Sequence, residues 1–282
     1  MTYKFGSDVL RCEVSDIGAE LVSVKLNGKE RLWQNDNGGW DGHAPILFPY
    51  SGRCAMVENG VQYPCPFHGF LFNLTFTLAE QTDNSITLTA HTNEETKKLY
   101  PHDVLFFVTY MVVGNCLEIT YKAVNEGKET MYAAFGCHES YNLDGEVDEY
   151  EAVFEKDEKF LSWYAQADDG RLTGEYKDCG EGNTLALDAD LVEQSVILAN
   201  LNSRTVALKK RGEDKIVAKV TFPGFSNLLF WHPAGSRMVC VEPWQNLPDD
   251  ERIPPQEISK KAGLMEIAPK SSATAFHEIE YL

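Results

Sequence analysis

The sequence predicts an all-β protein, folded as a large antiparallel β-sandwich, on three observations. Many short segments alternate apolar and polar residues with a period of two, as residues 85–90 do. Turn-forming residues separate these segments, and one of the turns, Asn27-Gly28, is the dipeptide that two-residue hairpins prefer. Helical periodicity is scarce, so the chain lacks the strand–helix alternation that a parallel sheet requires.

The predicted elements follow one another from the N-terminus. Residues 9–14 and 21–26 are strands, and residues 105–113 and 116–124 form a long hairpin around Gly114-Asn115. Further strands are predicted at residues 196–201, 205–209, 216–222, 227–231, 238–241 and 273–279. Two short helices are predicted, at residues 94–100 before Pro101 and at residues 255–262 before Gly263.

Length and composition favour one large domain spanning residues 1–282. The chain has 282 residues with 43% hydrophobic content, enough to bury a sizeable core. Polar clusters near residues 93–98 and 178–183 are short, and neither has the composition of a linker. We find no internal repeat or low-complexity segment.

Charge and targeting signals limit the partners. A formal net charge of −18 disfavours nucleic acid and anionic membrane surfaces. The N-terminus lacks a signal-peptide core, and no stretch approaches the roughly 18 to 20 apolar residues of a membrane span, so we expect a cytoplasmic protein. Its scattered cysteines are typical of reduced intracellular thiols rather than disulfides. They are Cys12, Cys54, Cys65, Cys116, Cys137, Cys179 and Cys240.

The most informative stretch is residues 39–52, which leads into Arg53 and is followed by Phe67-His68-Gly69-Phe70. It concentrates turn formers and aromatic residues, is too irregular for a core strand, and is typical of the lining of a sugar-sized pocket. Two later segments, residues 135–143 and 239–244, each place one titratable side chain, His138 or Glu242, among apolar neighbours. Because Pro243 cannot extend a hydrogen-bonded ladder, we expect Glu242 at the end of a sheet, beside a cleft.

These segments, in this order, resemble the aldose 1-epimerase (mutarotase) family, in particular its LacX-like branch. The resemblance covers nearly the whole chain and implies a galactose mutarotase-like β-supersandwich. It also implies interconversion of the α and β anomers of a free aldose, with a small-molecule sugar as partner and neither cofactor nor metal. A monomer and a homodimer are both compatible with the sequence.

The reaction needs a base for the C1 hydroxyl and an acid for the ring oxygen. The resemblance implies Glu242 as the base and His138 as the acid, which predicts a bell-shaped pH dependence. A solvated strand-end carboxylate or an ion pair is the structural alternative for Glu242, and a hydrogen-bonded core histidine is the alternative for His138. Glu139-Ser140, directly after His138, departs from the proline that is common in the family.

Three further residues match sugar-binding positions. The resemblance implies that Arg53 and His68 bind the sugar, Arg53 because its planar fork can donate to two hydroxyls. A surface salt bridge is the alternative for Arg53, and a hydrogen-bonded loop anchor is the alternative for His68. Trp244 is the preferred aromatic platform for the sugar ring, ahead of Trp40 and Trp231, although large aromatics commonly serve as core packing.

Two departures from the family pattern affect the substrate. Hexose-6-phosphate enzymes usually carry an arginine after the first His-Gly, where this chain has Phe70-Leu71-Phe72-Asn73, so a neutral aldose is favoured. The family's sugar-binding aspartate is missing just before residues 196–198, where the nearest residues are Glu193, Gln194 and Ser195, so either a neighbour substitutes for it or the specificity differs. A non-catalytic carbohydrate-binding protein and a hexose-6-phosphate 1-epimerase remain as alternatives. The C-x-x-H spacing of Cys65 and His68 lacks a second paired motif, so no metal site is predicted.

Overall fold

A computed structural model describes residues 1–36, 39–64, 66–166 and 168–282. Its first unit is an antiparallel sheet of four strands in chain order, β1 to β4, of which the second and third correspond to the strands predicted at residues 9–14 and 21–26. Cys65, one of the cysteines considered above, lies outside the described residues. The four strands are β1 (Thr2–Gly6), β2 (Leu10–Ser15), β3 (Leu21–Leu26) and β4 (Lys29–Glu30).

The strands that follow include two small antiparallel pairs and thirteen strands of one large sheet. Up to the middle of the chain they are β5 (Met56–Glu58), β6 (Val61–Tyr63), β7 (Thr77–Gln81), β8 (Ser85–His91), β9 (Val104–Val113), β10 (Cys116–Asn125), β11 (Met131–Ala133), β12 (Glu139–Asn142) and β13 (Tyr150–Ala165). The remainder are β14 (Leu172–Ala186), β15 (Val196–Leu198), β16 (Thr205–Lys210), β17 (Ile216–Thr221), β18 (Asn227–Trp231), β19 (Met238–Trp244), β20 (Met265–Ile267) and β21 (Ser272–Tyr281).

The large sheet runs in the order β12-β19-β18-β15-β13-β16-β17-β21-β10-β9-β8-β7, with β14 paired to β13, and every pairing is antiparallel. Strands far apart in this order meet across one core. Ile86 of β8 and Phe230 of β18, for example, belong to the same cluster of buried side chains. The N-terminal sheet closes on this core, where the Tyr110 hydroxyl donates to the Ala19 carbonyl. The predicted all-β antiparallel sandwich is therefore confirmed.

The helices are shorter than predicted. Helix α1 (Glu94–Lys97), capped by Asn93, covers the first part of the predicted 94–100 helix, and α2 (Ala189–Val192) was not predicted. The helix predicted at 255–262 is wrong, because only the 3₁₀ turn Ile258–Lys260 forms there. Glu257 instead forms an isolated parallel bridge with Val57, and its carboxylate accepts hydrogen bonds from two backbone N–H groups of the β5–β6 turn. Further 3₁₀ turns lie at Leu71–Asn73 and Val147–Glu149.

The longest hairpin, β13 with β14, was not predicted from the sequence. Its second strand is largely exposed and carries charges and several glycines, so it lacks the alternation that identifies a half-buried strand. Gly174, Gly180 and Gly182 have positive φ, and the pairing contains register shifts. Within the described residues, no helix is long and apolar enough to cross a membrane.

Candidate active site

Glu242 lies within a strand rather than at a sheet end. Strand β19 pairs with β12 on one side and β18 on the other, and it continues through Pro243 to Trp244. The sequence-based placement was therefore wrong. The Pro243 carbonyl accepts from the Cys137 N–H, so the proline nitrogen faces the side where regular pairing with β12 has ended at Glu139. No ladder hydrogen bond is lost there.

The alternation of β19 puts Glu242 beside His138. The His138 Nε2 atom lies 3.4 Å from Oε1 of Glu242, and the two residues are only 8% and 1% exposed. Among the described residues, neither Glu242 oxygen has a hydrogen-bond partner, nor has His138 Nδ1. Two groups that can exchange a proton are thus held together, with free lone pairs, in a nearly dry environment.

Burial shifts the proton affinities of this pair in opposite directions. Desolvation lowers the pKa of His138 to about 4, although the negative charges of Glu139 and Glu20 act against it. Desolvation raises the pKa of Glu242 well above its usual range, and the negative charge of Glu139 adds to that rise. Between these limits the pair holds one proton, which resides on Glu242 in the absence of a ligand.

Aromatic rings enclose His138. The Trp40 ring stacks on it with centroids 4.9 Å apart, and Trp231 contacts both rings edge-on. The Trp33 indole N–H donates to the Trp40 carbonyl at 2.9 Å, which holds the loop that carries Trp40. Trp40 therefore belongs to the site. Trp33, which lies outside the sequence motifs, stabilises the position of Trp40 through this hydrogen bond.

His68 is the second histidine of the site. It has φ of 63° and Gly69 has φ of 77°, and a Cβ on Gly69 would lie 2.0 Å from the Phe48 carbonyl oxygen, so the Phe-His-Gly-Phe motif specifies this turn. The Gly52 N–H donates to Nδ1 of His68 at 2.9 Å. Burial, followed by the neighbouring His138 and Arg53, lowers the pKa of His68 well below its usual range. The ring is therefore neutral, with its proton on Nε2 as a hydrogen-bond donor.

The His68 ring also connects the acid–base pair to Trp244. Its centroid lies 5.6 Å from that of His138 and 5.6 Å from that of Trp244. The structure therefore brings together four of the five predicted site residues, His68, His138, Glu242 and Trp244. Trp244 is only 2% exposed, but it contributes to the wall of a cleft.

Arg53 lies at the rim of that cleft. Its guanidinium carbon is 5.5 Å from the centroid of the Phe67 ring, and its Nε donates to the Asp169 carbonyl at 3.0 Å. The cleft has a volume of about 610 Å³, within the range that holds small organic ligands. Its lining also includes Tyr164, Gln166, Asp168, Glu193, Gln194, Ser195, Leu229 and Trp231. His68, His138 and Glu242 do not line the cleft themselves, but His138 contacts Trp231 and His68 contacts Trp244, and both tryptophans line it.

Sequence reasoning missed two residues that position this site. Asn246 accepts from the Ser51 N–H at 2.8 Å and donates to the Ser51 carbonyl at 3.1 Å, which fixes the loop that leads to Arg53. Asp169, in the turn between β13 and β14, receives the Arg53 hydrogen bond. Asn246 pairs with a residue 195 positions away, which no local pattern reveals, whereas Asp168-Asp169-Gly170 is a turn signal that could have identified the hairpin.

Gly136 allows these segments to pack closely. A Cβ there would lie 2.1 Å from the Ser51 hydroxyl and 3.1 Å from both the Leu47 and Trp244 side chains. Bridges from Gly136 to Leu47 and to Trp244 join the residue 39–52 segment to β19 at this point. The glycine two residues before His138 therefore sets the distance between the aromatic wall and the loop that carries Arg53.

Two groups of side chains have donor atoms close enough to share a metal ion, namely His138 with Cys240 and Glu242, and Cys137 with Glu139 and His277. Burial raises the pKa of both cysteine thiols well above the usual range, which makes a thiolate ligand costly. In the second group, the two ring nitrogens of His277 face different partners, Cys137 and Glu139. Both arrangements suit proton transfer and hydrogen bonding better than metal coordination.

Comparisons with known proteins identify the family of the chain. A sequence model described as aldose 1-epimerase matches residues 1–263. The chain is 30% identical over 268 residues to the chromosomal protein LacX of Lactococcus lactis subsp. lactis, which covers 88% of each protein. It is 32% identical over 110 residues, 35% of each chain, to a putative glucose-6-phosphate 1-epimerase of Escherichia coli K12.

A solved structure extends the similarity to the whole fold. The crystal structure of a galactose mutarotase-like protein from Lactobacillus casei ATCC 334 superposes with a TM-score of 0.91, at 26% identity and over 100% of both chains. A galactose mutarotase related enzyme from Lactobacillus acidophilus gives a TM-score of 0.88, at 26% identity, over 100% of this chain and 97% of that one. The predicted mutarotase-like fold is thereby confirmed.

Proposed function

Because the chain belongs to the aldose 1-epimerase family, we propose that it interconverts the α and β anomers of a free aldose by acid–base ring opening and closure. The observation that carries the proposal is the buried pair of Glu242 and His138, 3.4 Å apart and adjoining a cleft of sugar size. Apart from the His138 contact and the nearby Trp244 side chain, the Glu242 oxygens lack hydrogen-bond partners among the described residues, so they remain available to a substrate hydroxyl.

The chemistry needs one mobile proton in the site. Glu242 as carboxylate removes the proton from the C1 hydroxyl, the C1–O5 bond breaks as the carbonyl forms, and His138 as imidazolium protonates O5. After rotation about the C1–C2 bond, the same two groups act in reverse and close the ring on the other face. This active form has one proton on the pair, the same number as the unliganded pair carries, so no net proton uptake is required.

The neighbouring residues position the ring. His68 offers its Nε2–H to a sugar oxygen without carrying charge, which suits a neutral ligand. Arg53 donates from the rim, and Trp244 presents an aromatic surface next to Glu242. Glu193, Gln194 and Ser195 also line the cleft, so a carboxylate, an amide or a hydroxyl from this segment takes the place of the family's aspartate.

Polarimetry of freshly dissolved α-glucose and α-galactose tests the proposal directly. We expect the protein to accelerate the approach to the equilibrium rotation in proportion to its concentration. A carbohydrate-binding protein without activity would bind the sugars and leave the rate unchanged. A mutarotation rate equal to that of buffer, in the presence of measurable sugar binding, would establish that alternative.

The remaining sequence-based predictions belong to the same proposal. We propose a cytoplasmic protein without nucleic-acid or membrane partners, and the net charge of −18 supports the absence of those partners. The reaction as written uses neither cofactor nor metal. A single domain, present as a monomer or a homodimer, supplies all of the proposed residues.

A further inference from the structure

A second buried cluster lies on the opposite face of the strands that carry the acid–base pair. Glu139 follows His138 and pairs with Val241, the neighbour of Glu242, so its side chain points away from the cleft. There its Oε1 contacts Nε2 of His277 at 3.0 Å, and Nδ1 of His277 contacts the Cys137 sulfur at 3.5 Å. Glu139 is 2% exposed and His277 is not exposed at all. The contact joins β12 to β21 across the core.

The protons of this cluster can be assigned from its chemistry. Burial holds the pKa of Cys137 well above its usual range, so the thiol keeps its hydrogen and donates it to Nδ1 of His277. The other ring nitrogen then carries the remaining proton and donates it to Glu139. The hydrogen bonds from Cys137 to His277 and from His277 to Glu139 end at the Glu139 carboxylate, which carries the negative charge of the cluster.

The other side chains around Glu139 supply no compensating charge. The titratable groups that interact with it, by contact or electrostatically through the sheet, are Tyr110 of β9, Tyr121 of β10, Cys137 and His138 before β12, Tyr141 of β12, Cys240 and Glu242 of β19, and His277 and Tyr281 of β21. Burial raises the pKa of each of these tyrosines and cysteines, so they are neutral at physiological pH. More distant charges are Glu20, which acts on His138 and Tyr110, and Glu30 and Arg31, which act on Tyr281.

We propose that Glu139, oriented by His277, is a positioning residue that keeps one proton on the catalytic pair from the far side of the sheet. A buried negative charge disfavours a second negative charge on Glu242 and favours a proton on His138, because the low dielectric between them screens poorly. The negative charge of Glu139 therefore raises the proton affinity of both Glu242 and His138. This inference rests on the proposed function, since it assigns a role in the same reaction.

The test is the pH dependence of mutarotation in Glu139→Gln. We expect both limbs of the profile to move to lower pH, and each unit of displacement to lower the rate on the basic limb by about tenfold. Glu158→Gln is the matched control: Glu158 is also buried, but it accepts hydrogen bonds from the Asn202 and Ser203 N–H groups, away from the cleft. That variant reports the cost of neutralising a buried carboxylate and should leave both limbs in place.

A second variant and a second measurement cover a Glu139→Gln chain that fails to fold. His277→Phe keeps an aromatic ring against Tyr121, on which His277 stacks, but removes the donor to Glu139. Without that donor the carboxylate is no longer oriented, its effect on the pair falls, and the limbs again move to lower pH. Nuclear magnetic resonance titration of the Glu242 carboxyl carbon and the His138 ring reads the same midpoints without requiring activity, so failure of the enzyme proposal is distinguishable from failure of this one. Unchanged midpoints in both variants, or an equal change in Glu158→Gln, would overturn the proposal.

Discussion

At the scale of single residues, the site depends on two titratable groups that share one dry environment. A carboxylic acid and an imidazole in water would hold the proton on the imidazole. Burial of Glu242 and His138 reverses this order, because each neutral form is favoured over its charged form. The two groups share one proton, which can pass between them through a bound substrate.

This reversal changes the expected pH profile. The unperturbed residues would give an acid limb from carboxylate protonation and a basic limb from imidazole deprotonation. In the buried pair, the acid limb arises when the neutral His138 ring is protonated, with a pKa of about 4, so that the pair holds two titratable protons. The basic limb arises when Glu242 loses its proton at a raised pKa, so that the pair holds none. We expect a bell with a broad plateau between these limbs when the mutarotation rate is measured across pH. A rate independent of pH from acid to alkaline conditions would contradict the assignment.

Substitution of either member of the pair should remove most of the activity. We expect Glu242→Gln and His138→Asn each to lower the rate by about a hundredfold or more, the typical contribution of a positioned acid or base. His102→Asn is a control, since His102 is also buried and contacts Glu58 at 2.9 Å outside the site. Near-normal activity in Glu242→Gln or His138→Asn, measured by polarimetry on folded protein, would show that another residue carries the chemistry.

At the scale of elements, the alternation of apolar and polar residues predicted the half-buried strands, and the order of the motifs predicted the fold. Strands with one buried face, such as β9 and β10, lie within a residue of their predicted bounds. The β13–β14 hairpin was missed because its outer strand is exposed and glycine-rich. The end of β19 was misplaced because Pro243 lies beyond the last regular pair with β12, where its missing N–H costs no ladder hydrogen bond although Cys137 still donates to its carbonyl. The hydrogen bonds of the Asn246 amide and the contact between Glu139 and His277 join distant segments of the chain, which periodicity does not encode.

The packing of these elements at Gly136 gives a prediction of its own. Gly136→Ala would press a methyl group against Ser51, Leu47 and Trp244, all of them buried. We expect a loss of about 1 to 3 kcal/mol in the free energy of unfolding, measured by denaturant titration, together with reduced mutarotation as the loop moves from the aromatic wall. Gly145→Ala is the control, because its methyl group meets only the partly exposed side chain of Glu149, which can move aside. Equal effects of the two substitutions would contradict the proposed close packing.

At the scale of the whole molecule, the charge distribution bears on the choice of substrate. The protein has 43 acidic and 25 basic side chains, and the cleft follows this imbalance. Asp168, Asp169 and Glu193 line the cleft. Among the described residues, Arg53 is the one basic residue in this lining, and its side chain donates to the Asp169 carbonyl. Arg171 lies nearby but forms a salt bridge with Asp169 at 2.7 Å. The cleft therefore offers hydroxyl-binding groups rather than a phosphate site.

We accordingly expect free glucose or galactose to give a higher kcat/KM than glucose 6-phosphate in the same polarimetric assay. A phosphate dianion would lose hydration in a cleft whose carboxylates repel it, and Arg53 alone cannot compensate. Asp168→Lys should reduce the preference for the free sugar over glucose 6-phosphate, because it replaces a repulsive charge in the cleft with an attractive one. Added salt should weaken this gain in kcat/KM for the phosphate. Asp178→Lys makes the same charge change on the exposed face of β14, away from the cleft, and should leave the ratio of the two kcat/KM values unchanged. A wild-type preference for the phosphate would instead assign the protein to hexose-6-phosphate 1-epimerases and require cationic groups that converge on the cleft when the ligand binds.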